Sequence, residues 1–270
     1  MTLFLVHKVG LVMQLRRHGL QLLILLVTLT ATEPWSAAEI PCDQAISSLA
    51  LVQPRILRPS SPTVSSQPPL SPADYAACLG KRALSELVTK ENAALLGFID
   101  PVEASKATIG ESFEIYIVDL VDLIKYDPAT HASVTGLLIK MDSLIYPLLT
   151  VREEEDGVEP KPRSGLVVSL RKDKTTWTPT NWGLAKLVRD TTKYRKMERE
   201  RGSEFVRVVW IPALNLHFLG NEPRDGEDFK LIPLANRVAY GLRAGVPILA
   251  EIVFALYGLE ARQYDPAHPG

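Results

Sequence analysis

The sequence lacks the short motifs by which many catalytic and nucleotide-binding sites can be found. Its 270 residues contain no glycine-rich phosphate loop, no Gly-x-Ser-x-Gly turn, no His-Glu-x-x-His and no Cys-x-x-Cys. No two of the five histidines have the spacing of metal ligands, so the sequence predicts neither a metal site nor a cofactor. A catalytic site assembled from distant segments is compatible with these absences.

An excess of charge of either sign is also lacking. Thirty lysines and arginines face 31 aspartates and glutamates, which gives a formal net charge of -1. Such a balance creates no long-range field toward nucleic acid or acidic lipid. The basic stretch 186–201 interleaves acidic residues with its cations, which is typical of an exposed helix with ion pairs four residues apart. We therefore predict no nucleic-acid partner.

The apolar segment near the N-terminus has the pattern of a secretory signal peptide. The segment Leu20–Ala31 follows a basic start, and no acidic residue precedes Glu33. Ser36 and Ala38 are small residues that suit the positions before a cleavage site. The pattern predicts a cleaved signal over residues 1–38.

Two other interpretations of this apolar segment are weaker. A transmembrane helix needs about 20 apolar residues, and Leu20–Ala31 contains 12. A buried core helix would have to bury the adjacent Arg16 and Arg17, and arginine is rarely buried without a partner. We therefore predict a periplasmic or secreted protein of bacterial type, with no stable transmembrane span after cleavage.

Cysteine is scarce, with Cys42 and Cys78 as the only two. Both follow the predicted cleavage site, and cysteines of exported proteins can oxidise to disulfides. The pair is therefore a candidate disulfide. Two unrelated buried thiols are an equally simple interpretation, because free cysteine packs well as a small apolar residue.

Proline is abundant, and its distribution predicts the domain organisation. Residues 53–71 are rich in proline and serine and have no helical or strand period, which is typical of an extended linker. A short mature segment, 39–52, precedes this linker. Residues 72–270 are predicted to form a single domain, with a helix over 72–96 and a strand-rich body over 101–270. Ser71 and Pro72 are favourable residues for starting that helix.

The body alternates between strand and helix patterns without a regular βα repeat. Residues 205–218 show the alternation of one long strand, bent or placed at an edge by Pro212. Helices are expected over 181–201, beginning at Asn181, and over 247–257. The second is apolar nearly all round, so we expect it to be buried on every side. The pattern predicts an α+β fold with a mostly antiparallel sheet, or a sandwich-like domain, and a few packed helices.

Candidate functional residues are few. His217 could act as a base oriented by a remote carboxylate, although a structural histidine is the simpler interpretation. By strand parity, His217 should point away from Trp210. Trp177, Trp182 and Tyr194 could form a surface that stacks on a ligand, or they could cover the core.

These observations favour a non-catalytic function. The predicted signal, linker and strand-rich domain suggest an exported binding or envelope-associated module, whose partner is an envelope protein or a polysaccharide. An exported hydrolase with a site near His217 is the alternative. A purely structural envelope component is a third interpretation, and the sequence leaves the question of catalysis open.

Overall fold

The computed structural model describes residues 40, 42, 70–130, 133–151, 159–223 and 227–263. The predicted signal 1–38 lies outside the described residues, as do most of the segment 39–52 and of the linker 53–71. The same holds for every histidine except His217. Within the described part, no helix combines the length and the apolar character that crossing a bilayer requires.

The described residues form a mixed α+β fold around one large sheet. The helices are α1 (Pro72–Leu87), α2 (Pro101–Lys106), α3 (Leu120–Lys125), α4 (Ala185–Arg199) and α5 (Ala250–Ala261). The strands are β1 (Thr108–Ile109), β2 (Phe113–Val118), β3 (Leu138–Thr150), β4 (Lys161–Leu170), β5 (Trp177–Gly183), β6 (Phe205–Ile211), β7 (Leu216–Asn221), β8 (Lys230–Pro233) and β9 (Ile248–Leu249).

The sheet is mostly antiparallel, as the sequence predicted. Its strand order is β5-β4-β3-β2-β6-β7-β8-β9, with β1 paired to β3 outside this path. Only the central pair β2–β6 is parallel among these strands. All nine strands of the described ranges belong to this one sheet, so the prediction of an α+β fold with a mostly antiparallel sheet is confirmed and the sandwich-like alternative is wrong.

Helices cover both faces of the sheet. On one face, called here the α1 face, α1 packs near Tyr146 and Leu166, and α3 and α5 pack around Phe218. The opposite face, called the α4 face, packs α4 through Val188 against Phe113 and strands β6–β8. Successive strand residues point to opposite faces, so register decides which side chains each helix meets.

Helix α1 begins where the sequence predicted and ends earlier. The Ser71 side chain accepts a hydrogen bond from the Asp74 backbone N–H, and the Asp74 carboxylate accepts one from the Ser71 N–H, which forms a capping box. The predicted helix 72–96 instead stops at Leu87. The Asn92 side chain accepts from the Thr89 N–H and donates to the Leu87 carbonyl, so these backbone groups are paired without a continued helix.

The predicted long strand 205–218 is wrong, because these residues form the hairpin β6–β7. Pro212 begins a 3₁₀ turn and Asn215 adopts a left-handed conformation with φ of 48°. Proline has no N–H to donate to a strand partner, and asparagine tolerates positive φ better than most residues. The hairpin pairs Trp210 with His217, so both side chains lie on the α4 face. The prediction that His217 points away from Trp210 is therefore also wrong.

The predicted helix 247–257 lies later in the chain, and solvent reaches one of its sides. It is α5, which packs Phe254 and Tyr257 against the sheet. Ile252 is 49% exposed and Leu259 is 59% exposed. An apolar composition does not show which residues will be covered, because a helix laid on a sheet contacts it along one side only.

Candidate functional site

A cavity of about 490 Å³ lies beside the first turn of α4. We call it the α4 cavity. The wall combines that first turn with the start of β7, the segment after β8, and Tyr257 from α5. Most of the lining side chains are apolar, among them Leu184, Leu187 and Leu234. Ligand sites are commonly concave, mostly apolar and furnished with a few polar groups.

Helix α4 begins without a side-chain cap. Its N-cap residue Leu184 is left-handed, with φ of 58°, and has no polar group that could accept from the first turn. The described residues provide no hydrogen-bond acceptor for the N–H groups of Ala185, Lys186 and Leu187. No acidic residue stands in this turn. The cavity wall therefore includes the positive end of a helix of 15 residues, which favours a bound anion.

Two cationic side chains stand at the cavity. The Lys186 ammonium is 2.8 Å from an Asp190 carboxylate oxygen, so the charge of this lysine is largely compensated. Arg237 is exposed and forms no ion pair with a carboxylate of the described residues. Arg237 therefore leaves a net positive charge at the rim.

Tyr257 also lines this cavity, and its hydroxyl oxygen is buried. Its side chain is 1% exposed, and no described group forms a hydrogen bond with its hydroxyl. Burial raises the pKa of Tyr257 to about 12, so the hydroxyl is neutral at pH 7 and able to donate. Buried polar groups nearly always have a partner, and each exception requires an explanation.

His217 also lines the cavity, and its ring stacks on Trp210. The two ring centroids are 5.5 Å apart and the ring planes differ by 9°. Burial, and to a smaller extent the positive charge of Lys186, lowers the pKa of His217. The imidazole is therefore neutral at pH 7. In the described structure its side chain forms no hydrogen bond.

The cavity does not bring together the groups of a hydrolytic triad. Asp190 lines it but is paired with Lys186. The lining contains no serine, threonine or cysteine, so Tyr257 carries its only hydroxyl. Across the described ranges, no three His, Cys, Asp or Glu side chains are placed to hold a metal ion. The arrangement is suited to binding an anion and provides no paired nucleophile and base.

The three aromatic candidates are not brought together. Trp177 and Trp182 lie on β5 and pack, partly buried, against the core beneath α1. The Trp182 indole N–H donates to the Gly80 carbonyl at 3.3 Å. Tyr194 lies on α4 and packs on the opposite face. The structure therefore places the tryptophans at the α1 core and Tyr194 elsewhere.

The disulfide candidate has bonding geometry. The sulfurs of Cys42 and Cys78 are 2.16 Å apart and the Cα atoms are 5.3 Å apart. Cys78 is fully buried in α1, and the nearby Ile40 N–H donates to the Ile109 carbonyl at 3.0 Å. This covalent link joins the segment before the predicted linker to the folded domain.

Sequence reasoning found His217 but missed Leu184, Arg237 and Tyr257. The predicted helix 181–201 began at Asn181, a favourable cap residue, but Asn181 lies in β5 and α4 begins at Ala185, so the uncapped turn at Leu184 was missed. Arg237 and Tyr257 come from distant segments and show no local pattern, so only the fold brings them to the cavity.

The partly buried, neutral state of His217 predicts a pH dependence of stability. An unfolded histidine has a pKa of about 6.5, and the folded pKa is lower. Between these values the unfolded state binds one more proton, so the free energy of unfolding should decrease as pH falls below about 6.5. The slope attributable to His217 is at most about 1.4 kcal/mol per pH unit.

Urea denaturation of the natural chain and of His217→Phe between pH 5 and pH 8 measures this contribution. Phenylalanine retains a ring against Trp210 and cannot bind a proton. Compared with His217→Phe, the natural chain should lose unfolding free energy as the pH falls below about 6.5. Above that pH, the difference between the two chains should stay constant. Parallel pH profiles would contradict a lowered pKa of His217 in the folded state.

Comparison with known proteins provides no family for this fold and cavity. No family model matches the chain, and neither a curated protein nor a solved structure matches it.

Proposed function

We propose that this chain is an exported, non-catalytic binding module and that the α4 cavity binds a small organic anion. The observation that carries the proposal is the buried, unpartnered hydroxyl of Tyr257 in the wall that also contains the uncapped first turn of α4. An anionic ligand would accept hydrogen bonds from the N–H groups of the first turn, and a rotation of the Tyr257 side chain toward the cavity would add its hydroxyl as a donor.

The rest of the cavity supports an organic anion over an inorganic one. Arg237 adds a positive charge at the rim, while Leu184, Leu187 and Leu234 would contact the apolar part of a ligand. The lack of a paired nucleophile favours binding without turnover. The Cys42–Cys78 bond supports an oxidising compartment, in keeping with export. An envelope protein or polysaccharide as a further partner remains a prediction.

Tyr257→Phe is the sharpest test, with benzoate as the probe anion. The variant removes only the hydroxyl, and we expect benzoate binding to weaken about 10- to 150-fold, because a hydrogen bond to a charged group contributes about 1.5–3 kcal/mol. The same change should leave the free energy of unfolding unchanged or increase it, since an unpaired buried hydroxyl is unfavourable. Titration calorimetry and urea denaturation measure the two quantities.

A pair of arginine variants controls for general electrostatics. Arg237→Gln should weaken benzoate binding about two- to five-fold, the range of a solvent-exposed ion pair. Arg243→Gln removes an equal charge from an exposed residue outside the cavity lining, and should leave binding unchanged. Absence of benzoate binding, or equal losses in both arginine variants, would show that the α4 cavity is not an anion site.

A further inference from the structure

An apolar row crosses the open part of the α4 face and ends at the α4 cavity. Its members occupy successive strands at paired positions: His217 on β7, Trp210 on β6, Ile117 on β2 and Ile139 on β3. We call these four residues the apolar row. Trp210 is 37% exposed, Ile139 is 46% exposed, and the other two are partly buried. The row therefore presents a continuous apolar strip to solvent.

His217 joins this row to the cavity. It lines the α4 cavity and stacks on Trp210, so the same ring belongs to both surfaces. Its imidazole is neutral at pH 7, so the strip carries no charge at this position. At the far end of the row, Ile139 precedes Ser143, the residue at which the pairing of β3 with β4 begins. The exposed Met141 extends the apolar surface there. All four members of the strip are at least partly exposed.

We infer that the ligand of the α4 cavity is a single-chain anionic amphiphile, with its head group at the first turn of α4 and its chain along the apolar row. This inference rests on the proposed function, because the head group requires the anion site. The uncapped helix end and Arg237 match a negative head group, and the continuous row matches an unbranched apolar chain. A neutral polar ligand would leave the row exposed to water.

The length of the row sets the length of the chain. Neighbouring strands are about 4.8 Å apart, so three spacings from β7 to β3 cover about 14 Å. Carbon–carbon bonds of about 1.5 Å advance about 1.25 Å each in an extended zigzag, so a chain of about 11 or 12 carbons spans the row. An exposed strip of this width contacts one side of a single chain.

The test is a chain-length series with the purified full chain. Hexanoate, octanoate, decanoate and dodecanoate are titrated below their micelle concentrations, with calorimetry as the readout. We expect the Kd to fall about two-fold per methylene, roughly half the effect of full burial, and so about 60-fold from hexanoate to dodecanoate. A tryptophan fluorescence change that grows with chain length and disappears in Trp210→Phe should accompany it.

Two matched serine variants locate the chain. Ile139→Ser, at the far end of the row, should weaken dodecanoate binding about three- to five-fold and leave hexanoate binding unchanged. Ile252→Ser removes an equally exposed isoleucine from α5, on the α1 face, and should change neither. Because both sites are exposed, neither substitution should unfold the protein.

The outcomes separate this inference from the proposed function. Tyr257-dependent benzoate binding without a chain-length effect would overturn the amphiphile and leave the anion site intact. No binding of any of these anions would remove both. Binding to vesicles of anionic phospholipid without binding to monomeric dodecanoate would overturn the single-chain ligand. A dimer dissociated by Ile139→Ser, without a chain-length effect, would assign the row to a second copy instead.

Discussion

Arg195→Ala is expected to lower the free energy of unfolding by about 3–5 kcal/mol, the cost of breaking a buried charged network by removing one partner. Arg195 is a buried residue on α4, 3% exposed. It connects this helix to the sheet, and the loss is large because several partners depend on one guanidinium.

Three backbone carbonyls accept hydrogen bonds from Arg195. The acceptors belong to Glu111 at 3.2 Å, Ser112 at 2.7 Å and Phe205 at 3.0 Å. The guanidinium carbon also lies 3.4 Å from the centroid of the Phe113 ring. Burial lowers the pKa of Arg195, yet a guanidinium stays protonated at neutral pH. The charge is compensated by these carbonyls and by the Glu111 carboxylate at 3.6 Å.

Two further variants test whether the loss of stability comes from the three hydrogen bonds that the Arg195 guanidinium donates. Arg195→Lys keeps the positive charge but cannot reach three separate acceptors in a plane, so we expect it to recover less than half of the loss. Arg189→Ala removes an exposed arginine from the same helix and should change stability by less than about 0.5 kcal/mol. Urea denaturation measures all three. Equal losses of stability in Arg195→Ala and Arg189→Ala would contradict the conclusion that the buried Arg195 guanidinium holds α4 against the sheet.

Reduction of the Cys42–Cys78 bond is expected to lower the free energy of unfolding by about 4 kcal/mol in the chain-entropy model. The bond joins residues 36 apart, so breaking it restores considerable freedom to the unfolded chain. Its folded environment is the core beneath α1, where Cys78 is fully buried. Urea denaturation with and without reductant gives the difference, and the intact mass should gain two hydrogen atoms on reduction.

The double variant Cys42→Ala, Cys78→Ala is the control. Its stability should not respond to reductant, and it should be at or somewhat below the reduced natural chain, because alanine leaves part of the sulfur volume empty. A natural chain with unchanged mass and stability in reductant would show that the bond is not formed. The disulfide is one of the observations that support an oxidising compartment, so its absence in this experiment would remove that support.

Local features of the sequence predicted local features of the structure well. The start of α1 follows from Ser71, Pro72 and Asp74, because a helix cap needs only neighbouring residues. The α+β fold and mostly antiparallel sheet follow from alternating apolar residues between turn signals. The scarcity of cysteine left a single possible pair, and the structure places its sulfurs at bonding distance.

Errors arose where a local turn or side-chain hydrogen bond ended an element although the apolar pattern continued past it. The residues 205–218 have the alternation of one strand, but Pro212 and Asn215 form a turn that lets the two halves pair. His217 consequently faces Trp210 instead of pointing away. Just past the early end of α1, the Asn92 side chain bonds the Thr89 N–H and the Leu87 carbonyl, and a helical pattern does not single out this residue.

The sequence by itself indicated the α+β class, the start of α1, one candidate cysteine pair and the lack of local catalytic motifs, because these depend on neighbouring residues and on composition. The tertiary structure alone decided which groups share the α4 cavity. Tyr257, Arg237 and His217 come from separate segments, and nothing along the chain links them. The apolar row is likewise visible only in the strand register, since its members come from four strands. Register results from the packing of the whole sheet, which no single segment contains.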